Sequence, residues 1–338
     1  MTQDYTKIYK IVEGEDARWL ATMAREGKNL FVILNNENRL NFLKKSLKFF
    51  APHLDVAMFP AWDCLPYDKI SPSQSVMGER ITTLTRLSST HKPHIILADL
   101  AAVLQKVIGI EYVKNATLYI ASGAKLRMDD LKSYLAANGY IRSDSVRETG
   151  EYAVRGGIID VYPANFDNPI RIDFFGDEIE TIKYFNPITQ KSTEVCKSAA
   201  FSSVDEVLLN STTINNFKNN YKKFFGIPSD TDAMYNAVIA GQKYMGMEHY
   251  LSFFYNDLQP IFSYLKNDYS FVFDFMYQDK QKELLDTISN QYNDQLLLAQ
   301  NRKLETKITK PIPYNSLYLD AQLLEQQLKD QEVYEFSQ

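Results

Sequence analysis

The chain has 338 residues, 45% hydrophobic and 23% charged, with a net charge of −5 and two cysteines. That length is too great for one ordinary core and suits two or three, while the mixed, mildly acidic charge argues against the chain as a whole gripping a phosphate backbone, which takes concentrated positive charge. No charged-then-apolar leader stands at Met1–Leu20 and no apolar run is long enough to span a bilayer, so a cytoplasmic protein without a membrane partner is expected.

Residues 1–116 read as an α/β layer. Lys28–Leu34 (KNLFVIL) and His94–Ala98 (HIILA) are short, apolar runs of the kind buried in parallel sheets. Apolar residues recur at helical spacing in Asp16–Glu26, in Glu37–Phe50 and in Ser75–Ser88 behind Ser71-Pro72-Ser73. Such alternation marks a doubly wound fold, whose strand ends usually bind ligands. A nucleotide would ask for G-x-x-x-x-G-K-[ST], so that backbone amides wrap the phosphates and a lysine reaches their outer oxygens, and no such string occurs in the chain. Between strand and helix, Pro60, Pro66 and Pro72 shape a loop with Trp62 and Tyr67 tucked against the sheet, and the following helix carries Arg80 and Arg86. His91 and His94 straddle Lys92-Pro93 and read as a loop feature rather than a metal site. Cys64 and Cys196 fit no metal or redox spacing and read as reduced, buried thiols.

Residues 117–200 read as β-rich, with three consecutive strands over Gly150–Asn186. Tyr152–Tyr162 is the first, and its Arg155-Gly156-Gly157 suggests a bulge or a close backbone approach rather than a phosphate cradle. In the second, alternation sends Ile170, Ile172 and Phe174 to one face and Arg171, Asp173 and Phe175 to the other. The aliphatic and aromatic triplet is the natural core face. That leaves Arg155, Arg171 and Phe175 pointing away from the core, in the residue types that most often anchor protein interfaces. Gly176-Asp177 turns the chain into Glu178–Phe185, where Ile179, Lys183 and Phe185 share one parity and Glu178, Glu180 and Ile182 the other.

Residues 201–338 read as mainly helical. Thr231–Lys243, Gln278–Arg302 and Leu317–Leu328 have helical periodicity, and Tyr269–Phe275 (YSFVFDF) has a strand pattern. The polar helix near Asp279–Leu304 suits a surface connector. Lys218, Lys222 and Lys223 flank Tyr221 in the strongest linear basic cluster, which reads as a solvated helix face rather than a nucleic-acid contact.

Two blocks, GEYAVRGGIIDVYP with PIRIDFFGDEIETIKYFNPITQ (150–190) and PAWDCLPYDKISPSQSVMGERITTLTRL (60–87), resemble the bacterial transcription-repair coupling factors, the Mfd family, in the module homologous to the excision-repair protein UvrB. The resemblance implies a UvrB-like first domain made from residues 1–116 and 201–338, with a parallel-sheet core and a helical second segment, and a small inserted β-rich (α+β) domain at 117–200. It implies a non-catalytic, amino-terminal interaction module that recruits UvrA to stalled RNA polymerase in nucleotide excision repair and can help hold the full-length motor inactive. Arg155, Arg171 and Phe175 match the family's UvrA-contacting positions, each arginine offering bidentate bonds to a carboxylate. Where UvrB relatives carry a phosphate loop, Ile11–Trp19 (IVEGEDARW) keeps only Gly14 and sets Glu15 and Asp16 in the phosphate's place, two charges that repel a triphosphate. No cofactor is therefore expected in this chain: in the family, ATP and magnesium serve motor domains, and RNA polymerase and DNA are met through domains absent here, while other domains of the whole protein are further partners. The step from Trp62 to the next helix is too short for UvrB's DNA-inserting aromatic hairpin. The alternative is a nucleotide- or DNA-binding domain of a UvrB-like repair helicase.

Overall fold

The computed structural model describes residues 6–8, 14–89, 92–265, 269–301 and 311–337. Every residue of Leu30–Leu34 and of Ile95–Asp99 is buried, so both runs need cover on both faces. The chain provides it by alternating strand and helix: β1 (Thr6–Ile8), α1 (Glu15–Arg25), β2 (Leu30–Leu34), α2 (Glu37–Phe50), β3 (Val56–Phe59), α3 (Gln74–Leu87), β4 (Ile95–Asp99), α4 (Leu100–Leu104) and α5 (Ile110–Asn115). A second block follows with β5 (Leu118–Ala121), α6 (Met128–Ala137), β6 (Ile141–Arg142), β7 (Glu151–Arg155), β8 (Ile158–Val161), β9 (Ile170–Phe175), β10 (Glu178–Phe185), β11 (Ser192–Val195) and β12 (Ser198–Phe201). Then come α7 (Ser211–Phe225), α8 (Ala233–Ile239), α9 (Leu251–Phe254), α10 (Phe262–Leu265), β13 (Ser270–Phe273), α11 (Tyr277–Asn301), α12 (Ala321–Leu328) and β14 (Val333–Phe336).

The fold is mixed α/β with a parallel-sheet core. Its six parallel strands run in the order β1-β14-β13-β2-β4-β3, so the first and last parts of the chain share one sheet. Leu30, Val32 and Leu34 face α1 and α2, whereas Phe31 and Ile33 face the larger core built from α3, α4 and the later helices. The strand pattern at 269–275 thus becomes a central strand, and β3 and β14 are strands that periodicity alone did not mark. Two helical patterns shorten, from Thr231–Lys243 to Ala233–Ile239 and from Leu317–Leu328 to Ala321–Leu328, in each case behind an aspartate cap, Asp232 or Asp320. No helix among the described residues is long and apolar enough to cross a membrane.

The second sheet has the order β11-β10-β9-β8-β7-β6, antiparallel except for the β6–β7 edge. Its inner face joins Leu131 and Leu135 of α6 and the β5–β12 ribbon in one core with Ile159, Ile170, Ile172 and Ile182. Two expectations change here. The run Tyr152–Tyr162 is not one strand but two, because Gly156, at φ +58°, and Gly157 form a two-residue turn that pairs Arg155 with Ile158. The close approach expected of these glycines is real: a Cβ on Gly157 would lie 3.2 Å from the Phe174 carbonyl oxygen. In β10 the simple parity fails, because the register shifts between Ile179 and Thr181. One extra residue there lets Ile179 and Ile182 both reach the core and leaves Lys183 and Phe185 opposite it.

Glycines also set how closely the two sheets' supports approach. A Cβ on Gly78 of α3 would lie 2.8 Å from Ala164 Cβ, and one on Gly139, at φ +91°, would lie 2.6 Å from Asp205 Cβ. Gln74 Nε2 donates to the Gly139 carbonyl at 2.6 Å. Beside this seam Arg80 is fully buried; its guanidinium pairs with Glu206, donates to the Pro60 carbonyl at 2.9 Å, and lies 4.5 Å from the Phe59 ring centre. Trp62 donates to the same Glu206 at 3.1 Å. Tyr67 departs from expectation: it leaves the sheet, donates to the Ile312 carbonyl at 2.9 Å and packs on Tyr292 of α11.

Candidate protein-docking face

Strand pairing builds the outer face of the antiparallel sheet in two rows. Ala153, Asp160, Arg171 and Lys183 stand side by side across β7, β8, β9 and β10, and Arg155, Ile158, Asp173 and Thr181 form the next row. Phe175 opposes Glu178 beyond them, at the Gly176-Asp177 turn. The three residues singled out in the sequence therefore lie on one face. Arg155 sits about 10 Å, two strand spacings, from Asp173, and Arg171 and Phe175 bracket Asp173 along β9.

Their surroundings differ. Phe175 is 80% exposed, the ring fully presented by its strand. Arg155 is exposed and donates to the Asp144 carbonyl at 2.7 Å. Arg171 is not free in the way alternation alone suggests, because register puts it opposite the buried Asp160. Nε and Nη2 donate to the two Asp160 oxygens at 2.7 and 2.8 Å, and the guanidinium lies 4.9 Å from the Phe185 ring centre. The hydrogen bond to Asp160 raises the Arg171 pKa, outweighing partial burial. Nor is the face merely solvated. Val146, Ala153 and Phe185 form a small apolar cluster on it, edged by Tyr162, so the chain between β6 and β7 covers part of it. Alternation in β9 already placed Asp173 on this face, whereas Asp160, Lys183 and Phe185 were missed because their placement follows from register and from the bulge, which no single strand's pattern reveals.

The phosphate-loop position is organised around Arg39. Gly14, at φ +91°, turns the chain into α1; Glu15 stays exposed, 3.8 Å from Arg18, while Asp16 is buried. Asp16 pairs with Arg39 of α2, whose Nε also lies 3.4 Å from Asp274, the residue after β13. This triad stands at the carboxyl ends of the parallel strands, as does Asp99 at the end of β4. Burial raises the pKa of both Asp99 and Asp274. A doubly wound sheet commonly binds ligands at its strand ends, and here Asp16, Arg39 and Asp274 pair with one another at that end.

The remaining sequence features resolve individually. Lys218, Lys222 and Lys223 are exposed, but Tyr221 is buried among Phe217, Phe225 and Tyr235 and bonds Asp232, so the tyrosine they flank in sequence is not presented with them; the exposed aromatic beside them is Phe224. His94 accepts from the Asp55 amide at 3.2 Å, and His91 lies outside the described residues. Cys64 and Cys196 are free and half-buried rather than buried; burial pushes the Cys64 thiol up to about 12. No group of three or more metal-ligating side chains occurs among the described residues.

A family model described as the UvrB interaction domain matches residues 118–206, which span the docking face. The chain is 34% identical over 304 residues to a transcription-repair-coupling factor of Rickettsia prowazekii (strain Madrid E), a match covering 87% of this chain and 26% of the relative. With that of Haemophilus influenzae it shares 29% identity over 270 residues, 80% of this chain and 24% of the relative. With that of Bacillus subtilis (strain 168) the figures are 25% over 322 residues, 86% and 27%. The chain spans about a quarter of the length of these curated relatives.

Proposed function

The chain belongs to the transcription-repair-coupling factor family, and we propose that it acts there as a non-catalytic docking module whose outer β-sheet face binds UvrA, bringing excision repair to stalled RNA polymerase. The observation that carries this reading is Phe175: a phenyl ring 80% exposed, held on a paired strand beside Arg155 and Arg171, inside the stretch matched by the UvrB interaction domain. Single exposed rings are ordinary on protein surfaces, and Phe49 is 81% exposed; what sets Phe175 apart is that it shares one sheet face with two arginines, and aromatic and arginine side chains supply most of the energy of protein contacts. Another domain of the whole protein seated on the same face would keep UvrA off, a route to self-restraint. Arg39, occupied by Asp16 and Asp274 at the strand ends, supports a module without ATP or magnesium of its own.

The test is the affinity of the purified chain for UvrA. Truncating a central anchor costs about 2 kcal/mol, so Phe175→Ala should weaken binding roughly thirty-fold, and Arg155→Ala comparably. Both variants should keep the parent melting temperature, and Lys222→Ala on the far helix should bind like the parent. Parent-like binding by both face variants would overturn the assignment.

A further inference from the structure

A guanidinium has five N–H donors in a fixed fork. In Arg171 the Nε edge is committed to Asp160 at 2.7 and 2.8 Å, and the Phe185 ring backs the plane at 4.9 Å. Nη1 has only long contacts, 3.4 Å to the Gln190 carbonyl and 3.4 Å to Ser192 Oγ. The outer edge is therefore fixed in direction but weakly satisfied. The neighbouring cation is also matched, since Lys183 lies 3.3 Å from Asp173, whose carboxylate further accepts from Thr181 at 2.6 Å. Among the described residues Arg155 is the cation of this group without a carboxylate partner, and the exposed Glu178 opposes Phe175.

We infer that Asp160 is a positioning residue of the docking face, which aims Arg171 at the partner and cancels its charge. The inference rests on the docking role proposed above. Its consequence concerns the partner: the face fits a surface with an apolar pocket for Phe175 and hydrogen-bond acceptors opposite Arg171 and Arg155, rather than a broadly acidic patch. Binding then depends weakly on salt, because a cation already paired within the face carries little net charge to be screened.

The experiment is a double-mutant cycle on UvrA binding with Asp160→Asn, Arg171→Ala and the two combined, alongside Phe175→Ala. Asp160→Asn keeps the side chain's shape but turns a donor toward Nη2, so Arg171 loses its aim; binding should weaken by about ten-fold, and the combined variant should bind no worse than Arg171→Ala. The combined variant carries no unpaired buried charge, and the melting temperature of each single variant shows whether its loss of binding is read on folded protein. The parent's affinity should change by less than about three-fold between 0.05 and 0.3 M salt, roughly the range over which exposed charges become screened. Fully additive losses in the cycle, or a steep salt dependence, would overturn the inference. Loss of binding in Phe175→Ala with parent-like Asp160→Asn would overturn it while leaving the docking role intact; parent-like binding by Phe175→Ala and Arg155→Ala would remove both.

Discussion

Glu248 and His249 are sequence neighbours on which burial acts in opposite directions. Glu248 accepts from Ser71 Oγ at 2.6 Å, and burial, reinforced by the nearby Asp205 carboxylate, pushes it up to about 7. His249 stands edge-on to Trp62, with Cys64 Sγ 4.0 Å from its Nε2, and burial pushes it down to about 4. The fold binds the Glu248 proton more tightly than the unfolded chain does, so stability is lost as pH rises from the usual 4.5 to about 7. The fold resists the His249 proton, so that stability is lost as pH falls from 6.5 to about 4. Across their overlap the two slopes oppose one another, and above it the Glu248 cost stands alone. Glu248→Gln removes that cost, so at pH 8 it should stabilise the protein by a few kcal/mol, and at pH 5 by much less. Thermal melts of parent and variant at the two pH values measure this; an equal effect at both would mean that Glu248 does not titrate as described.

At the scale of elements, α3 shows how close packing can reverse a propensity. Gly78 lies inside the helix, where alanine is ordinarily more stable than glycine by about 1 kcal/mol. Here a Cβ would come within 2.8 Å of Ala164 Cβ, in the turn between β8 and β9, with no flexible side chain at the contact to yield. Gly78→Ala should therefore destabilise, by about 1–3 kcal/mol as overpacking does, and should lower the urea midpoint without changing the far-UV spectrum. A raised midpoint would mean that the two sheets separate at this seam at little cost. The same helix was legible in sequence, since Ser73 Oγ accepts from the Val76 amide and α3 starts at Gln74, within a residue of its expected start. β14 was not legible: its four residues gain their meaning from pairing with β1 and β13, far away in the chain.

At the scale of the molecule, the parallel sheet has the strand-helix alternation of a doubly wound fold, and Asp16, Arg39 and Asp274 pair with one another at its strand ends. Admitting a triphosphate would mean breaking the buried pair and bringing further negative charge to two carboxylates. Removing one partner of such a pair commonly costs about 3–5 kcal/mol. Titration calorimetry of the chain with magnesium and ATP should accordingly give no saturable heat, and a micromolar dissociation constant would mean that Arg39 swings away to open the crevice.

The sequence by itself determined the alternation of buried strands and helices, the inward triplet Ile170, Ile172 and Phe174, and the exposure of Phe175, because these follow from local periodicity and from which side chains water excludes. It also carried the family resemblance, in strings long enough to be specific. Only the tertiary structure decided that Arg171 is spoken for by Asp160, that β10 shifts register so that Ile182 turns inward, and that Arg39 lies between carboxylates from α1 and the end of β13. Each of these depends on which residues stand opposite one another across separate segments. Register, bulges and ion pairs between distant elements are set by the packing of the whole, and no local pattern encodes them.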